Sequence, residues 1–346
     1  MGSILRCGRR RLTEQGLEEA HLEAEVLLMR LVGISRAHLH SHLDGPISEE
    51  DEAAYQSWID RRAAREPLAY ITGVREFFGL DFYVDRRVLI PRPETELLVE
   101  ECLRILGRGR TGPSAPTGDG RPSVPIGDGR PSAPTGDGRP SAPTGDGRPS
   151  APTGDGRRSA PTGDGRPSAR TGDRLSSPVL ADIGAGSGAI AVVLACRLPD
   201  ARIYATDVST DALEVARLNC LRHGVQERVE LRPGDLLEPV KEPVDIILAN
   251  LPYIPDSVLP TLAPEVSVHE PRLALAGGAD GLDLVRRLLA QAPGRLRPGG
   301  RLLLEIGSGQ GARAARAAAD ALPDSSIRIM RDLAGLERVL VIELAS

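Results

Sequence analysis

The sequence predicts an α/β fold in which a mostly parallel β-sheet follows a small helical domain and a β-hairpin. Three observations lead to this prediction. Short β-like runs alternate with helical runs after residue 177, helical patterns occupy the first 75 residues, and all three phenylalanines of the 346-residue chain cluster between these regions. Alternating strands and helices are typical of a parallel sheet covered by helices on both faces. The predicted parts are a helical domain (1–75), a β-hairpin with a linking helix (76–106), an insertion (107–176) and an α/β domain (177–346).

The helical domain is predicted from two patterns. Apolar residues recur at helical spacing over residues 12–31, which predicts one amphipathic helix. The sequence Ser-Glu-Glu-Asp at 48–51 is typical of a capping box, and it starts a second helix that carries Ala54, Trp58 and Ile59. We therefore expect the first part of the chain to be helical throughout.

A β-hairpin is predicted around Gly79, because the three phenylalanines fall within six residues there and aromatic residues favour strands. We expect this hairpin to form the hinge between the helical and the α/β domain. The sequence Ile-Pro-Arg-Pro-Glu-Thr-Glu at 90–96 then leads into a short helix through Leu106, since proline is tolerated at a helix start.

The insertion at 107–176 consists largely of a nine-residue repeat, Pro-Thr-Gly-Asp-Gly-Arg-Pro-Ser-Ala. It holds 16 Gly, 12 Pro and no aromatic residue, so it cannot bury enough apolar surface to offset its ordering entropy and is predicted to be disordered. We interpret it as an expanded linker, with an Arg-bearing interaction tether as the alternative. Its 11 Arg and 7 Asp leave a net charge of −9 on the other 276 residues.

Charge, hydropathy and cysteine content exclude several classes of protein. The acidic remainder argues against a broad nucleic-acid-binding face. No apolar run reaches the roughly 18 residues of a membrane-spanning helix, and the basic first residues do not resemble a signal peptide. Four cysteines without CxxC spacing fit a reducing cytoplasm. His38 and His42 lack the acids or cysteines that a metal site needs, so no metal is expected.

Six strands and four helices are predicted in the α/β domain. The strands are 179–183, 202–206, 229–232, 244–249, 301–305 and 338–343. The helices are 188–197, 211–222, 281–289 and 310–321. Ligands bind where the carboxyl ends of parallel strands meet, so the segments that follow these strands form the candidate site.

A glycine-rich turn, Asp-Ile-Gly-Ala-Gly-Ser-Gly-Ala at 182–189, joins the first strand to its helix. Glycines permit a tight turn and close approach of a ligand to free N–H groups. Alone, the pattern also fits a dinucleotide-binding loop or a plain packing turn. Asp207 ends the second strand, where an acid accepts hydrogen bonds from ribose hydroxyls, and Ser209 is the more natural cap of the next helix. The sequence therefore predicts an adenosine-bearing cofactor.

The fourth strand is followed by Asn250, Leu251, Pro252 and Tyr253. This tetrapeptide resembles the Asn-Pro-Pro-Tyr signature of methyltransferases that use S-adenosyl-L-methionine to methylate a planar amide or amino nitrogen. The resemblance implies the fold of a class I S-adenosylmethionine-dependent methyltransferase, Rossmann-like with a mostly parallel seven-stranded sheet. It also implies that the Asn side-chain oxygen and the next backbone carbonyl accept hydrogen bonds from the target NH2, while the aromatic ring packs on its plane. Leu251 replaces the family's proline, but leucine supplies the same carbonyl, and Pro252 still favours an extended Leu251.

Further segments resemble the HemK/PrmC family of peptide chain release factor protein-(glutamine-N5) methyltransferases. They lie at 66–78, 89–96, 270–275, 278–282 and 300–305, in addition to the glycine turn and the Asn250 tetrapeptide. The resemblance covers nearly all of the chain outside 107–176. It implies S-adenosyl-L-methionine as the cofactor. As the substrate it implies the glutamine in the Gly-Gly-Gln loop of class 1 release factors, docked partly on the N-terminal helical domain.

The resemblance also implies roles for individual residues. Those implied for cofactor binding are Asp182, Gly184, Ala185, Gly186, Ser187, Gly188, Asp207, Leu236 and Asn250. Those implied for catalysis are Asn250, Leu251, Pro252 and Tyr253. Leu236 would flank the adenine, whereas Arg92 and Glu94 fit either the site or an ion pair between the domains.

Amide resonance makes the glutamine nitrogen a poor nucleophile, so the carbonyl oxygens of Asn250 and Leu251 would aim this nitrogen and stabilise the positive charge that develops on it. Neither a metal nor a covalent nucleophile is needed. Two alternatives remain open: a glutamine methyltransferase of a ribosomal protein, and a nucleic-acid adenine or guanine methyltransferase. We expect a cytoplasmic enzyme whose partner is a release factor, without direct nucleic-acid or membrane partners.

Overall fold

A computed structural model describes residues 1–107 and 177–345 of the chain. Apart from Gly107, the insertion and its expected disorder lie outside the described residues. The N-terminal helices, the hairpin and the α/β part belong to one compact unit. The division of the chain into the four parts predicted above stays a prediction.

The N-terminal part consists of α1 (Gly2–Glu14), α2 (Ala20–Val32), α3 (Arg36–Ser41), α4 (Glu49–Ala63) and α5 (Leu68–Thr72). The prediction of one helix over 12–31 is wrong, because the chain turns between α1 and α2 at Gly16, whose φ of +70° is left-handed. The helical spacing continued across the turn because Leu12 and Leu17 are buried in the same core. The cap at Ser48 is confirmed, since its hydroxyl accepts a hydrogen bond from the amide of Asp51 at 3.0 Å.

The hairpin pairs β1 (Val74–Phe77) with β2 (Leu80–Tyr83) in antiparallel register. Its turn residues Phe78 and Gly79 have φ values of +53° and +79°, as two-residue hairpin turns favour. The hairpin, which we expected to be the hinge between the domains, is bound to the α/β part. The Tyr83 amide donates to the Asn219 side chain at 2.7 Å, and the Tyr83 carbonyl accepts from it at 3.0 Å. A 3₁₀ turn over Pro93–Thr95 then leads into α6 (Glu96–Ile105), as the proline pattern predicts.

The α/β part contains one sheet. Its strands are β3 (Val179–Ile183), β4 (Arg202–Asp207), β5 (Val229–Pro233), β6 (Val244–Ala249), β7 (Leu296–Glu305), β8 (Ser326–Arg331) and β9 (Glu337–Glu343). They are ordered β5-β4-β3-β6-β7-β9-β8, and all neighbours are parallel except β7 with β9 and β9 with β8. The expected mostly parallel seven-stranded sheet is confirmed. Strand β8 was not predicted, because no residue of this edge strand is fully buried and its hydrophobic signal is correspondingly weak.

Helices cover both faces of the sheet, as predicted. The covering helices are α6, α7 (Ala189–Arg197), α8 (Thr210–Arg222), α10 (Asp283–Gln291) and α11 (Gly311–Ala321), and a short helix α9 (Pro264–Ser267) has no buried residue. Leu180 packs with α6 and α7 on one face, whereas Ala181 and Ile183 pack with α10 and α11 on the other, because successive strand residues point to opposite faces. No helix in the described ranges has the length and apolar character needed to cross a membrane.

The strand order places the candidate site. From the central strand β3 the chain continues to β4 on one side, and β6 lies on the other side. The loops after β3 and β6 therefore diverge at the carboxyl edge of the sheet and leave a crevice between them, which is where ligands bind in sheets of this type.

Candidate functional site

A cavity of about 300 Å³ opens at this edge of the sheet. Most of the predicted site residues line it, namely Gly184, Ala185, Gly186, Ser187, Asp207, Leu236, Asn250, Leu251 and Pro252. Three predicted residues, Asp182, Gly188 and Tyr253, are not part of its lining. The structure thus brings together the turn after β3, the end of β4 and the loop after β6.

The glycine turn is fixed by backbone hydrogen bonds to the neighbouring strand. The amides of Gly184 and Ala185 both donate to the carbonyl of Thr206 at 2.9 Å. Gly186 lines the cavity with a φ of +54°, and a Cβ built on it would meet no atom within 4 Å. The space beside Gly186 is therefore open to a ligand.

Gly188 has a packing role. Its φ is +77°, and a Cβ there would come within 3.1 Å of the Cβ of Ala216 on α8. Glycine thus lets α7 begin directly against α8. The prediction that Gly188 binds the cofactor rests on the sequence pattern, and the structure places this residue beside the cavity lining.

Asp182 is fully buried at the end of β3. One carboxyl oxygen accepts a hydrogen bond from the amide of Ala191 in α7 at 3.1 Å, and the other has no partner among the described residues. Burial raises the pKa of Asp182 to about 7. This hydrogen bond links β3 to α7, and the cofactor contact expected for Asp182 stays a prediction.

Asp207 faces the cavity from the end of β4. Its two carboxyl oxygens accept hydrogen bonds from the amides of Gly186 and Ser209 at 2.8 and 2.9 Å. Burial raises its pKa. Ser209 caps α8 through the amide of Ala212 at 3.1 Å, which confirms that Asp207 is not the cap. A carboxylate has about four acceptor positions, so Asp207 retains acceptors for a ligand.

Leu236 lies on another wall of the cavity with a φ of +48°, an uncommon value for leucine. Its carbonyl accepts a hydrogen bond from the Thr206 hydroxyl at 2.8 Å, which holds this conformation. Asp235 and Arg287, which form an ion pair, also line the cavity. Sequence reasoning missed Arg287, because its place beside Asp235 depends on the packing of α10.

The Asn250 loop closes the other side of the cavity. The Asn250 side-chain amide donates to the hydroxyl of Thr95 at 3.0 Å, so its nitrogen is engaged by a residue far away in the sequence. Leu251 is buried against Gly184. Tyr253 donates its hydroxyl to Glu305 at 3.3 Å, and its carbonyl accepts from Gln310 at 2.9 Å. The expected stacking of the Tyr253 ring on a substrate stays a prediction.

Two ion pairs join the segment before α6 to the α/β part of the chain. Arg92 donates to both oxygens of Glu270 at 2.6 and 2.8 Å, and Glu94 lies 3.8 Å from Arg338. Of the two interpretations of Arg92 and Glu94, these contacts support ion pairing. Burial raises the pKa of Glu270, and the positive charge of Arg92 opposes this effect. The partners could have been sought in the sequence, since 89–96 and 270–275 both belong to the resembling segments.

Sequence reasoning also missed Thr95 and Glu305 as members of the site. Thr95 is buried and lines the cavity, and Glu305 is buried at the end of β7. Each lay within a resembling segment, but neither residue type points to a site by itself. Among the described residues no group of three or more His, Cys, Asp or Glu is arranged to hold a metal, and His38 stacks on His42 at the surface.

Two family models match the chain. One, described as the PrmC N-terminal domain, matches residues 3–73, and the other, the methyltransferase small domain, matches residues 172–263. The chain is 37% identical over 300 residues to the release factor glutamine methyltransferase of Geobacter sulfurreducens, covering 86% of this chain and 81% of that protein. It is 39% identical over 303 residues to the release factor glutamine methyltransferase of Moorella thermoacetica, covering 87% and 83%. A solved release factor-specific protein-(glutamine-N5) methyltransferase from Alicyclobacillus acidocaldarius covers 77% of this chain and 100% of its own at 23% identity, with a TM-score of 0.36.

Proposed function

The chain belongs to the release factor glutamine methyltransferase family, and on this premise we propose what its site does. It transfers a methyl group from S-adenosyl-L-methionine to the side-chain amide nitrogen of the glutamine in the Gly-Gly-Gln loop of class 1 release factors. The observation that carries this proposal is the Asn250 amide at the cavity wall. Its nitrogen is bound to Thr95, which leaves its oxygen to accept from an incoming NH2 group.

The residues after β3 and β4 fit S-adenosyl-L-methionine. The open space beside Gly186 admits the ligand close to the backbone, Asp207 offers acceptors to ribose hydroxyls, and Leu236 offers an apolar surface to an adenine ring. When bound, this cofactor supplies an electrophilic methyl group on a positively charged sulfur. We propose that Gly184, Ala185, Gly186, Ser187, Asp207, Leu236 and Asn250 contact it.

Asn250 and Leu251 position the glutamine. The side-chain oxygen of Asn250 and the backbone oxygen of Leu251 accept hydrogen bonds from the target NH2 group and hold its nitrogen in line with the methyl group. The same oxygens stabilise the positive charge that develops on the nitrogen, in a site where these dipoles are already oriented. Pro252 restricts Leu251 to an extended backbone.

Asp182, Gly188 and Tyr253 support these groups from outside the lining. Asp182 holds the first turn of α7, Gly188 permits the contact of α7 with α8, and Tyr253 fastens the Asn250 loop to Glu305. We propose that the Tyr253 ring reaches the plane of the glutamine amide only when the substrate is bound.

The N-terminal helical part is proposed as the docking surface for the release factor. Arg62 and Arg65 both bind Glu265 on α9, at 3.0 and 2.9 Å. The segment that follows α9 reaches the cavity through Pro271, Leu273 and Ala274, and the Leu273 side chain is exposed. A partner seated on the helices would therefore also touch the cavity wall.

The partner and the compartment are proposed on chemical grounds. The described part of the chain is acidic, which suits a protein substrate better than a nucleic acid. All four cysteines are free thiols, as expected for the reducing cytoplasm, where translation is terminated.

The test is methyl transfer from radiolabelled S-adenosyl-L-methionine. Four acceptors are offered side by side: a class 1 release factor, its Gly-Gly-Gln loop Gln→Ala variant, ribosomal protein and DNA. We expect label on the wild-type release factor and none on the variant. Label on ribosomal protein or DNA alone would show methyltransferase activity with an acceptor other than the proposed substrate.

A further inference from the structure

A buried carboxyl group lies directly behind the Asn250 loop. Ala249 of β6 pairs with Leu304 of β7, so the next residues of these neighbouring strands are Asn250 and Glu305. Glu305 is 2% exposed and contributes nothing to the cavity lining. The function proposed above uses this group only to anchor Tyr253.

Glu305 is bound to the Asn250 loop through the Tyr253 hydroxyl and lies near the Thr95 hydroxyl, which is itself bound to Asn250. Tyr253 donates to one oxygen of Glu305 at 3.3 Å, and the other oxygen has no hydrogen-bond partner among the described residues. The Thr95 hydroxyl also lies near the carboxyl group and favours its charged form. On its other side, the oxygen of Thr95 accepts from the Asn250 side-chain nitrogen at 3.0 Å.

The charge of Glu305 determines which groups donate and which accept between Glu305, Thr95 and Asn250. A carboxylate can only accept hydrogen bonds, whereas a threonine hydroxyl donates one and accepts others. If Thr95 donates toward Glu305, its oxygen can only accept from Asn250, and the amide nitrogen is the one donor that the Asn250 side chain has. The Asn250 oxygen is then the group presented to the substrate.

We propose that Glu305, acting through the Thr95 hydroxyl, sets the hydrogen-bond polarity of the Asn250 side chain. The inference rests on the proposed function, because it assumes that the Asn250 oxygen receives the glutamine NH2 group. Thr95 and Glu305 are positioning residues in this arrangement. They do not touch the atoms that react, and they decide which end of the Asn250 amide does.

Loss of the negative charge on Glu305 would reverse the direction of these hydrogen bonds. A neutral acid or amide at position 305 can donate toward Thr95, whose own proton then turns to the Asn250 oxygen. The Asn250 side chain would present its NH2 group to the NH2 group of the substrate, and two donors cannot bond each other. The glutamine would lose its acceptor while the cofactor contacts stay intact.

The groups around Glu305 determine when this charge is present. Burial raises the pKa of Glu305 to about 7, and the negative charge of Glu94 adds to this rise. The hydroxyls of Thr95 and Tyr253 and the positive charge of Arg338 lower the pKa. Arg338 itself binds Asp332 at 2.8 Å and lies 3.8 Å from Glu94. Turnover should therefore fall as the pH drops below about 7.

The experiment compares kcat, KM and cofactor Kd across pH 5.5–9 for Thr95→Val, Thr95→Ser and Glu305→Gln, with a purified release factor as acceptor. Valine keeps the shape of threonine without the hydroxyl, and serine restores the hydroxyl. Glu101→Gln is the matched control, because Glu101 is equally buried but pairs with Arg104 and Arg328, and none of these three residues lines the cavity. Asn250→Ala is measured in parallel.

We expect Thr95→Val and Glu305→Gln to lower kcat about ten- to hundredfold, as misoriented catalytic groups do, with KM and cofactor Kd within about threefold. Thr95→Ser should recover most of the loss, and Glu305→Gln should abolish the fall of kcat below pH 7. If Thr95→Ser is as slow as Thr95→Val, or if Glu305→Gln keeps the wild-type kcat and pH profile, the inference is wrong. If Asn250→Ala itself remains active, the proposed catalytic role of Asn250 is wrong, and the premise of this inference fails with it.

Discussion

The two sides of the cavity are built in different ways. On the cofactor side, the turn after β3 is held by the adjacent strand β4: the amides of Gly184 and Ala185 donate to the backbone carbonyl of Thr206, and the amide of Gly186 donates to the Asp207 carboxylate. On the substrate side, the loop after β6 is held by side chains from distant segments. Asn250 binds Thr95, 155 residues away, and Tyr253 binds Glu305, 52 residues away.

Each side also contains one buried carboxyl group with an oxygen that has no hydrogen-bond partner in the described part of the chain, and burial raises the pKa values of both groups to about 7. Asp182 bonds a backbone amide, which has a fixed polarity. Glu305 contacts hydroxyl groups, whose protons can turn. The hydrogen bond of the buried carboxyl group on the cofactor side therefore has a fixed direction. On the substrate side, the direction of the hydrogen bonds depends on the charge of Glu305. Substitutions on the first side should change cofactor affinity, and those on the second should change turnover.

The largest effect is expected from Asn250→Ala, which removes the acceptor for the glutamine NH2 group. We expect kcat to fall about a thousandfold, the upper end of what loss of one oriented transition-state hydrogen bond costs, while cofactor Kd changes less than tenfold. Single-turnover methyl transfer and calorimetric titration with S-adenosyl-L-methionine measure the two quantities. Turnover near the wild-type rate would remove Asn250 from the catalytic role.

Glu305→Gln should make the protein more stable at pH 8 than the wild type. Because folding raises the pKa of Glu305 from 4.5 to about 7, the native state binds this proton more tightly than the unfolded chain does. The wild-type free energy of unfolding therefore falls as the pH rises from about 4.5 to about 7, by up to about 3 kcal/mol. The Glu305→Gln variant has no carboxyl group at this position, so its free energy of unfolding does not fall for this reason. Urea unfolding at pH 5 and pH 8 tests it, and equal stability of the two proteins at both pH values would contradict the buried charge.

Asp207→Ala should weaken cofactor binding and leave turnover nearly unchanged, the reverse of the result expected for Asn250→Ala. Loss of the hydrogen bonds to the ribose hydroxyls should raise cofactor Kd about 10- to 100-fold, with kcat at saturating cofactor within about threefold. Asp211→Ala is the control, because Asp211 is an exposed acid in the first turn of α8. A Kd that is unchanged in Asp207→Ala, or equally raised in the control, would speak against the ribose contact.

The smallest effect is expected from Leu251→Pro, which restores the proline of the resembling signature. The carbonyl that accepts the substrate bond is present in both residues, so kcat should stay within about threefold. Loss of the buried leucine contact with Gly184 should lower the free energy of unfolding by about 1 kcal/mol. Parallel kinetics and thermal unfolding check both. A change in kcat of more than tenfold would show that the side chain at 251 takes part in positioning.

Elements with strong local signals were predicted well. β3 and β6 begin and end at the predicted residues, and Asp207 and the glycine turn meet at one cavity. The apolar runs of buried parallel strands and the glycine pattern are local properties of the chain. Where the local signal was weak or continuous across a turn, prediction failed, as at edge strand β8 and at the break between α1 and α2.

The sequence by itself determined the α/β class, the order of the strands along the chain and the residues at the carboxyl ends of β3, β4 and β6, because these depend on neighbours a few positions apart. Only the tertiary structure decided that Thr95 and Glu305 lie behind Asn250 and that Arg92 binds Glu270. The physical reason is that a hydrogen bond or an ion pair forms only between groups within about 3–4 Å of each other. Packing alone brings residues that are 50 to 180 positions apart to that distance.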